Sequence, residues 1–442
     1  MSKKSGGIFA FLGLVGLSVF LLSCGTKVSR SSGLLFVVSQ GSNQVSSYAI
    51  DQNTGNLSYL KTGASTCAAT ACGFPLNILL DPTNATTFVL NQGVPSSGVV
   101  PSIYAYTVNS DGTLTGVGDV TSTLNVFAPG DMAVAMTRDA GGKFLFVITQ
   151  GFTPAPTGCD ATPAPTGCPL LYVFATQPGS TSLTLTGNDC PGTNTPCPKP
   201  LSRVPTSVAS SITVTVPDPN PPNAPLTGPL LYVTGNKDVV GSNDNTVSEY
   251  IVDQSSGTAT EMTGSPYVTG AAPSAVLAVD TNPAGGNTGG LFVYVTNQSI
   301  DNNVSVFQVC IVQNANCTLQ NVQDATMSAV GSPVSVGQAP VALAGDPTNN
   351  FLYVACETSN QVYAFRISTA TGVLSRLNPA FLSTGSFPVA MAMHPTGIFL
   401  YLYVSNNASS NLSGFTVNTT SGQLGNPITV ISLGQPAGLV AK

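Results

Sequence analysis

Seven times the chain returns to one short block of aromatic, β-branched and small residues. The copies are Phe36-Val37-Val38-Ser39, Phe88-Val89-Leu90-Asn91, Phe146-Val147-Ile148-Thr149, Tyr232-Val233-Thr234-Gly235, Tyr294-Val295-Thr296-Asn297, Tyr353-Val354-Ala355-Cys356 and Tyr403-Val404-Ser405-Asn406. Their starts run from residue 36 to residue 403 with a mean spacing of about 61 residues, which makes each copy one supersecondary unit of a repeat architecture. A second block of alternating character follows each first one, as in residues 103–108 and 362–367, and period-two alternation is the signature of a half-buried strand. Gly-containing turns come next, for example Gln52-Asn53-Thr54-Gly55 and Thr369-Ala370-Thr371-Gly372, and predict hairpins into a fourth, outer strand. Ahead of the first block, Phe74-Pro75, Ala128-Pro129, Val204-Pro205, Ala272-Pro273, Ala339-Pro340 and Phe387-Pro388 each open an inner strand.

Four strands per unit and seven units predict an all-β fold, a seven-bladed β-propeller of four-stranded antiparallel blades. The first unit begins at Leu34 without an inner strand, and the chain ends on Gln435-Pro436-Ala437-Gly438-Leu439-Val440, an inner strand with no unit to follow. Joined, the two complete one blade, close the ring and remove two open sheet edges. Composition agrees: 7% charged residues and 45 Gly with 33 Pro leave too little Glu, Lys and Arg for helical domains. A net charge of −6 with no basic cluster argues against a nucleic-acid partner.

The N-terminus reads as an export signal, with Lys3 and Lys4 ahead of an apolar or small run from Gly6 to Leu22. Residues 1–23 are therefore expected to be a signal peptide, 24–33 a linker and 34–442 the propeller. Leu21-Leu22-Ser23-Cys24 resembles the lipobox of bacterial lipoproteins, and that resemblance implies a diacylated Cys24 as the first mature residue. Such an anchor holds a protein to the membrane surface without spanning it. Gly25 in place of Asp favours the outer membrane of the cell envelope. Eight further cysteines fall into close pairs, Cys67 with Cys72, Cys159 with Cys168, Cys190 with Cys197 and Cys310 with Cys317, while Cys356 has no such neighbour. Four local disulfides are expected, in keeping with an oxidising compartment. A zinc site would need more His or Cys ligands, and the chain has one His.

The blocks, together with Asp81-Pro82-Thr83-Asn84, Asp346-Pro347-Thr348-Asn349 and His394-Pro395-Thr396-Gly397 as inner-hairpin turns, resemble the lactonase-type seven-bladed propellers with YVTN-type repeats. That group is related to 6-phosphogluconolactonases and carboxymuconate cyclases. The likeness covers nearly all of 34–442 and implies the fold; these repeats also build non-catalytic surface proteins.

Active members of the family commonly start an inner strand with Pro-Arg-His. Here Pro205-Thr206-Ser207, Pro273-Ser274-Ala275, Pro340-Val341-Ala342 and Pro388-Val389-Ala390 stand instead. His394 falls in a turn on the opposite face, and of five arginines only Arg203 is expected at the channel mouth. Asp131, Lys237 and Asp238 are candidates to join it, to hold an anion or polarise a carbonyl. The loops between second and third strands are rich in amides, Asn297 and Asn406 among them, either because Asn favours turns or as a neutral rim for a small carbohydrate, lactone or peptide. The stretch Gly241-Ser242-Asn243-Asp244-Asn245 reads as a plain loop rather than a calcium site. No metal, cofactor or catalytic residue is assigned. The expectation is a non-catalytic binding or scaffolding module; the alternative is an exported lactone hydrolase or cyclase, a lactonase-type carboxylic ester hydrolase in class, working from Arg203, Asp131 and Lys237.

Overall fold

The computed structural model describes residues 31–61, 65–66, 73–124, 126–151, 167–187, 196–219, 224–238, 245–281, 290–311, 325–394, 400–430 and 434–442. Their strands form seven antiparallel sheets. Inner strands are Pro75–Leu80, Ala133–Arg138, Arg203–Val216, Pro273–Asp280, Pro340–Gly345 and Pro388–Met393 in blades 2 to 7, with Pro436–Ala441 serving blade 1. These seven touch in cyclic order, so the array is a closed ring. Closure is the one anticipated: Pro436–Ala441 pairs antiparallel with Ser31–Ser39, with Val440 opposite Phe36 and Leu439 opposite Val37. In blades 3, 4 and 5 a short additional strand pairs with the third strand beyond the outer one, so the outer edge there is built from two pieces.

Alternation along the second strands explains the packing. Leu35 and Val37 of blade 1 join Tyr401, Tyr403 and Leu412 of blade 7, whereas Phe36 and Val38 face Ile78, Val89 and Tyr106 of blade 2. Every second strand is thus apolar on both faces, and Leu291–Asn297 is buried at every position. Burying one such Val, Leu or Phe stabilises by roughly 1.5–3 kcal/mol. The repeated Tyr adds a directed bond: the hydroxyls of Tyr294, Tyr353 and Tyr403 donate to the carbonyls of Gly372, Gly422 and Gly55 in the outer turn of the next blade, at 2.9, 2.8 and 2.7 Å. Those turns need glycine. Gly372 has φ +71, and a Cβ there would meet the Phe292 ring.

The expected set of four disulfides is overturned. No disulfide joins two described residues, and Cys310 belongs to none, being the buried last residue of the strand Asn303–Cys310. Its cross-strand partner is Thr326. The strand runs further than the Asn-rich stretch suggested, and the pleat fixes the direction of its Cβ instead of leaving it in a pliable turn. Cys168 and Cys197 are each disulfide-bonded, while Cys67, Cys72, Cys159, Cys190 and Cys317 lie outside the described residues, as does Cys24. Cys356 is a buried thiol whose pKa burial pushes up to about 12. Among the described residues no helix is long and apolar enough to cross a membrane.

Candidate functional site

The inner strands begin on one repeated device. In six blades a Pro, or Ala133 in blade 3, pairs with the last residue of the second strand, in blade 4 Pro205 pairs with Gly235 short of that end, and in all seven a register shift lies beside the pair. Proline suits this place because it has no N–H to lose from the ladder. Just before the Pro, Ala272, Ala339, Phe387 and Gln435 take φ of 52, 52, 57 and 58°, which is costly for a residue with a side chain. The preceding blade supports each of them. The amide oxygens of Asn245, Asn302 and Asn360 accept the backbone N–H of Ala272, Ala339 and Phe387, at 3.0, 2.9 and 2.9 Å. Ser410 Oγ accepts from Gln435 at 3.3 Å. Much of the amide richness of these loops is therefore blade-to-blade bracing.

The bulge turns the next side chain inward. Leu76, Val134, Thr206, Ser274, Val341, Val389 and Ala437, one per blade, line a central channel of about 690 Å³. Thr206 and Ser274 donate their hydroxyl protons to the Pro273 and Pro340 carbonyls of the next blade, at 2.6 and 2.5 Å. With those protons committed, each oxygen can accept from the Thr234 or Thr296 hydroxyl at 2.9 Å and from one further donor. Gln40, Asn77, Ser207 and Asn407 add neutral polar groups, and Met391, Met393 and Leu439 add apolar wall. Among the described residues no titratable side chain lines the cavity.

The residues singled out from the sequence lie elsewhere. Asp131 precedes the inner strand of blade 3 as expected, but it is fully buried: its carboxylate accepts from Tyr172 Oη at 2.8 Å and from the Ala128 N–H at 2.9 Å. Burial raises its pKa, against the pull of those two bonds. Arg203 opens the inner strand of blade 4 with Asp238 as its register partner, and its Nη1 donates to the Ser202 carbonyl at 3.1 Å. Lys237 and Asp238 end the second strand of that blade, Leu226–Asp238. Asn297 and Asn406 are fully buried. Their Nδ2 atoms tie the second strand to the third through Asn303 and Ser305, at 2.7 and 2.9 Å, and through Asn411 and Ser413, at 2.9 and 3.0 Å. Asp131, Arg203, Asn297 and Asn406 are not among the residues that line the channel, and of Lys237 and Asp238 only the backbone is described. His394 is buried where an inner hairpin turn begins, its N–H bonded to the Tyr401 carbonyl at 2.8 Å. Of the Gly241–Asn245 stretch only Asn245 is described.

Sequence reasoning passed over Thr206, Ser207, Ser274 and Asn77 as site residues. Their signal was present: each lies one or two places after an inner-strand Pro, the position where Arg-His was sought. It also missed Glu249, fully buried beside Tyr232, whose pKa desolvation raises well above the ordinary carboxyl range. Among the described residues no group of three or more His, Cys, Asp or Glu is placed to hold a metal ion.

Ring, blade count and channel define the class: this is a seven-bladed β-propeller. It resembles the lactonase superfamily. The family described as "Lactonase, 7-bladed beta-propeller" matches residues 246–440, somewhat less than half of the chain. Among solved structures, the periplasmic gluconolactonase PpgL of Pseudomonas aeruginosa superposes with a TM-score of 0.58 at 18% identity, covering 92% of this chain and 98% of its own. A candidate 6-phosphogluconolactonase of Bacteroides uniformis gives 0.60 at 12% identity, covering 93% and 100%. A protein from Lactobacillus plantarum gives 0.58 at 16%, covering 93% and 99%. At these identities the likeness is one of fold. No curated protein matches the chain in sequence.

Proposed function

We propose that this chain is an exported lactonase-like propeller, held to the cell envelope by lipid on Cys24, that binds a small neutral ligand at its channel without turning it over. One observation carries the reading: the described residues that wall the channel are hydroxyls, amides and apolar side chains, with no titratable group among them. Lactone hydrolysis needs a base for water and a charge or dipole aimed at the carbonyl oxygen. Asp131, the carboxylate nearest to that role in the sequence, is enclosed and bonded to Tyr172. The name of the Pseudomonas gluconolactonase belongs to that protein, and at 18% identity it brings only its fold to this chain.

The test is turnover. Purified protein is expected to leave the spontaneous hydrolysis of glucono-δ-lactone and of 6-phosphogluconolactone unchanged. Acceleration of either that disappears in Arg203→Ala would establish the hydrolase alternative. For the anchor, metabolic labelling with a fatty acid is expected to mark the wild-type chain, and a Cys24→Ala variant that still takes up label would refute lipidation there.

A further inference from the structure

The channel is lopsided. Blades 7, 1 and 2 give it long continuous stretches of inner strand, residues 389–393, 437–441 and 76–79, while blades 3 to 6 each give one or two residues. The residue before the inner-strand Pro sits at the head of each of these three stretches. In blades 7, 1 and 2 it is Phe387, Gln435 and Phe74. Both phenylalanines are about half exposed, at 48% and 50%.

The fold gives no reason for either ring. Blades 5 and 6 fill the same place with Ala272 and Ala339 in the same left-handed conformation. Phe387 adopts φ 57° with a bulky side chain that gains little burial, its carbonyl accepts the N–H of the channel-lining Asn407 at 2.8 Å, and a strained, exposed aromatic next to that lining points to a ligand. Bonded to Phe387 through its backbone N–H, Asn407 reaches Gln40 Oε1 with its Nδ2 at 3.4 Å and the Pro436 carbonyl at 3.3 Å, long contacts that a ligand hydroxyl can take over. Across the channel, Thr206 and Ser274 offer acceptors to a ligand that brings its own O–H donors.

We infer that the mouth over blades 7, 1 and 2 binds an uncharged sugar chain, with Phe387 and Phe74 as stacking platforms on either side of Gln435. This rests on the channel's being a ligand site and names the class of ligand. A sugar ring is apolar on its C–H face and ringed by hydroxyls, which matches flat aromatic surface beside neutral amides and hydroxyls. A phosphorylated or uronic sugar would lose hydration of its charge against described lining residues that carry no counter-charge.

Affinity electrophoresis through gels containing dextran, laminarin, mannan or anionic alginate tests this, with direct binding of an apolar decapeptide as a further arm. At least one of the three neutral polysaccharides is expected to retard the protein. Phe387→Ala and Phe74→Ala should each weaken that binding by roughly tenfold, the size of one lost aromatic contact. Phe387→Ala installs the residue that blades 5 and 6 already tolerate, so the fold is kept, and Ile300→Ala, an exposed apolar change in blade 5, should bind as wild type. No retardation by any neutral polysaccharide, retardation that survives the double Phe variant, or Phe-dependent binding of alginate or the peptide alone would each overturn the inference. Lactone turnover is not read here, so failure of this assay leaves the non-catalytic reading to its own test.

Discussion

Glu249 shows how a single residue sets a pH dependence. Its carboxyl is fully buried, and desolvation raises its pKa well above the ordinary value of 4.5. Asp131 is raised for the same reason, in part offset by Tyr172 and the Ala128 N–H. A carboxyl raised on folding takes up a proton that the unfolded chain releases. Its contribution is complete below the unfolded pKa and drains away as pH climbs toward the folded one, at up to about 1.4 kcal/mol per pH unit for each such group. Wild-type stability measured by denaturant titration should therefore decline from about pH 5 toward pH 8 on account of these groups. Glu249→Gln should flatten that decline and leave stability at pH 4 nearly unchanged; an identical slope in the variant would show that Glu249 is ionised in the fold. Neither buried acid was recognisable as buried from sequence, because Glu249 stands within an alternating strand where the packed face depends on the neighbouring blade.

Between elements, the repeated Asn of the hairpin loops is the informative residue. Asn302 and Asn360 themselves take φ of 43 and 55°, and their side chains brace the left-handed residue that opens the next blade. Asn302→Ala loses both the tolerated conformation and the bond, and is expected to cost about 1–2 kcal/mol in chemical denaturation. Asn302→Asp keeps an acceptor oxygen and a residue tolerant of that conformation, and should recover most of the loss. If Ala and Asp behave alike, the brace contributes nothing. The sequence reading saw these amides and weighed a turn role against a ligand rim. The coordinates divide them: Asn245, Asn302 and Asn360 brace, Asn91, Asn297 and Asn406 tie strands, and Gln40 and Asn407 reach the channel.

At the scale of the whole molecule, closure by Pro436–Ala441 is the interaction with the greatest leverage, because it pairs the last residues with the first strand of the ring. A chain ended at Gln435 would bare the edge of Ser31–Ser39 and the facing inner strands of blades 7 and 2, and exposed edges recruit other chains. Size-exclusion chromatography should show that truncation eluting as aggregate, with the cooperative thermal transition lost; a truncation that runs and melts like wild type would mean the ring holds without its seam. Blade number, strand order and this seam were all legible in the linear chain, because period-two burial and Pro, Gly and Asn at turn positions are local consequences of backbone geometry. What only the tertiary structure decided is which side chains reach the channel and which bury. A bulge one residue after each inner-strand Pro sends Thr206 and Ser274 inward, while Asp131, next to an inner strand of the same ring, folds under Tyr172. Thr206 is set by a contact with the next blade 67 residues away and Asp131 by Tyr172 of its own blade 41 residues away, and no local pattern encodes either.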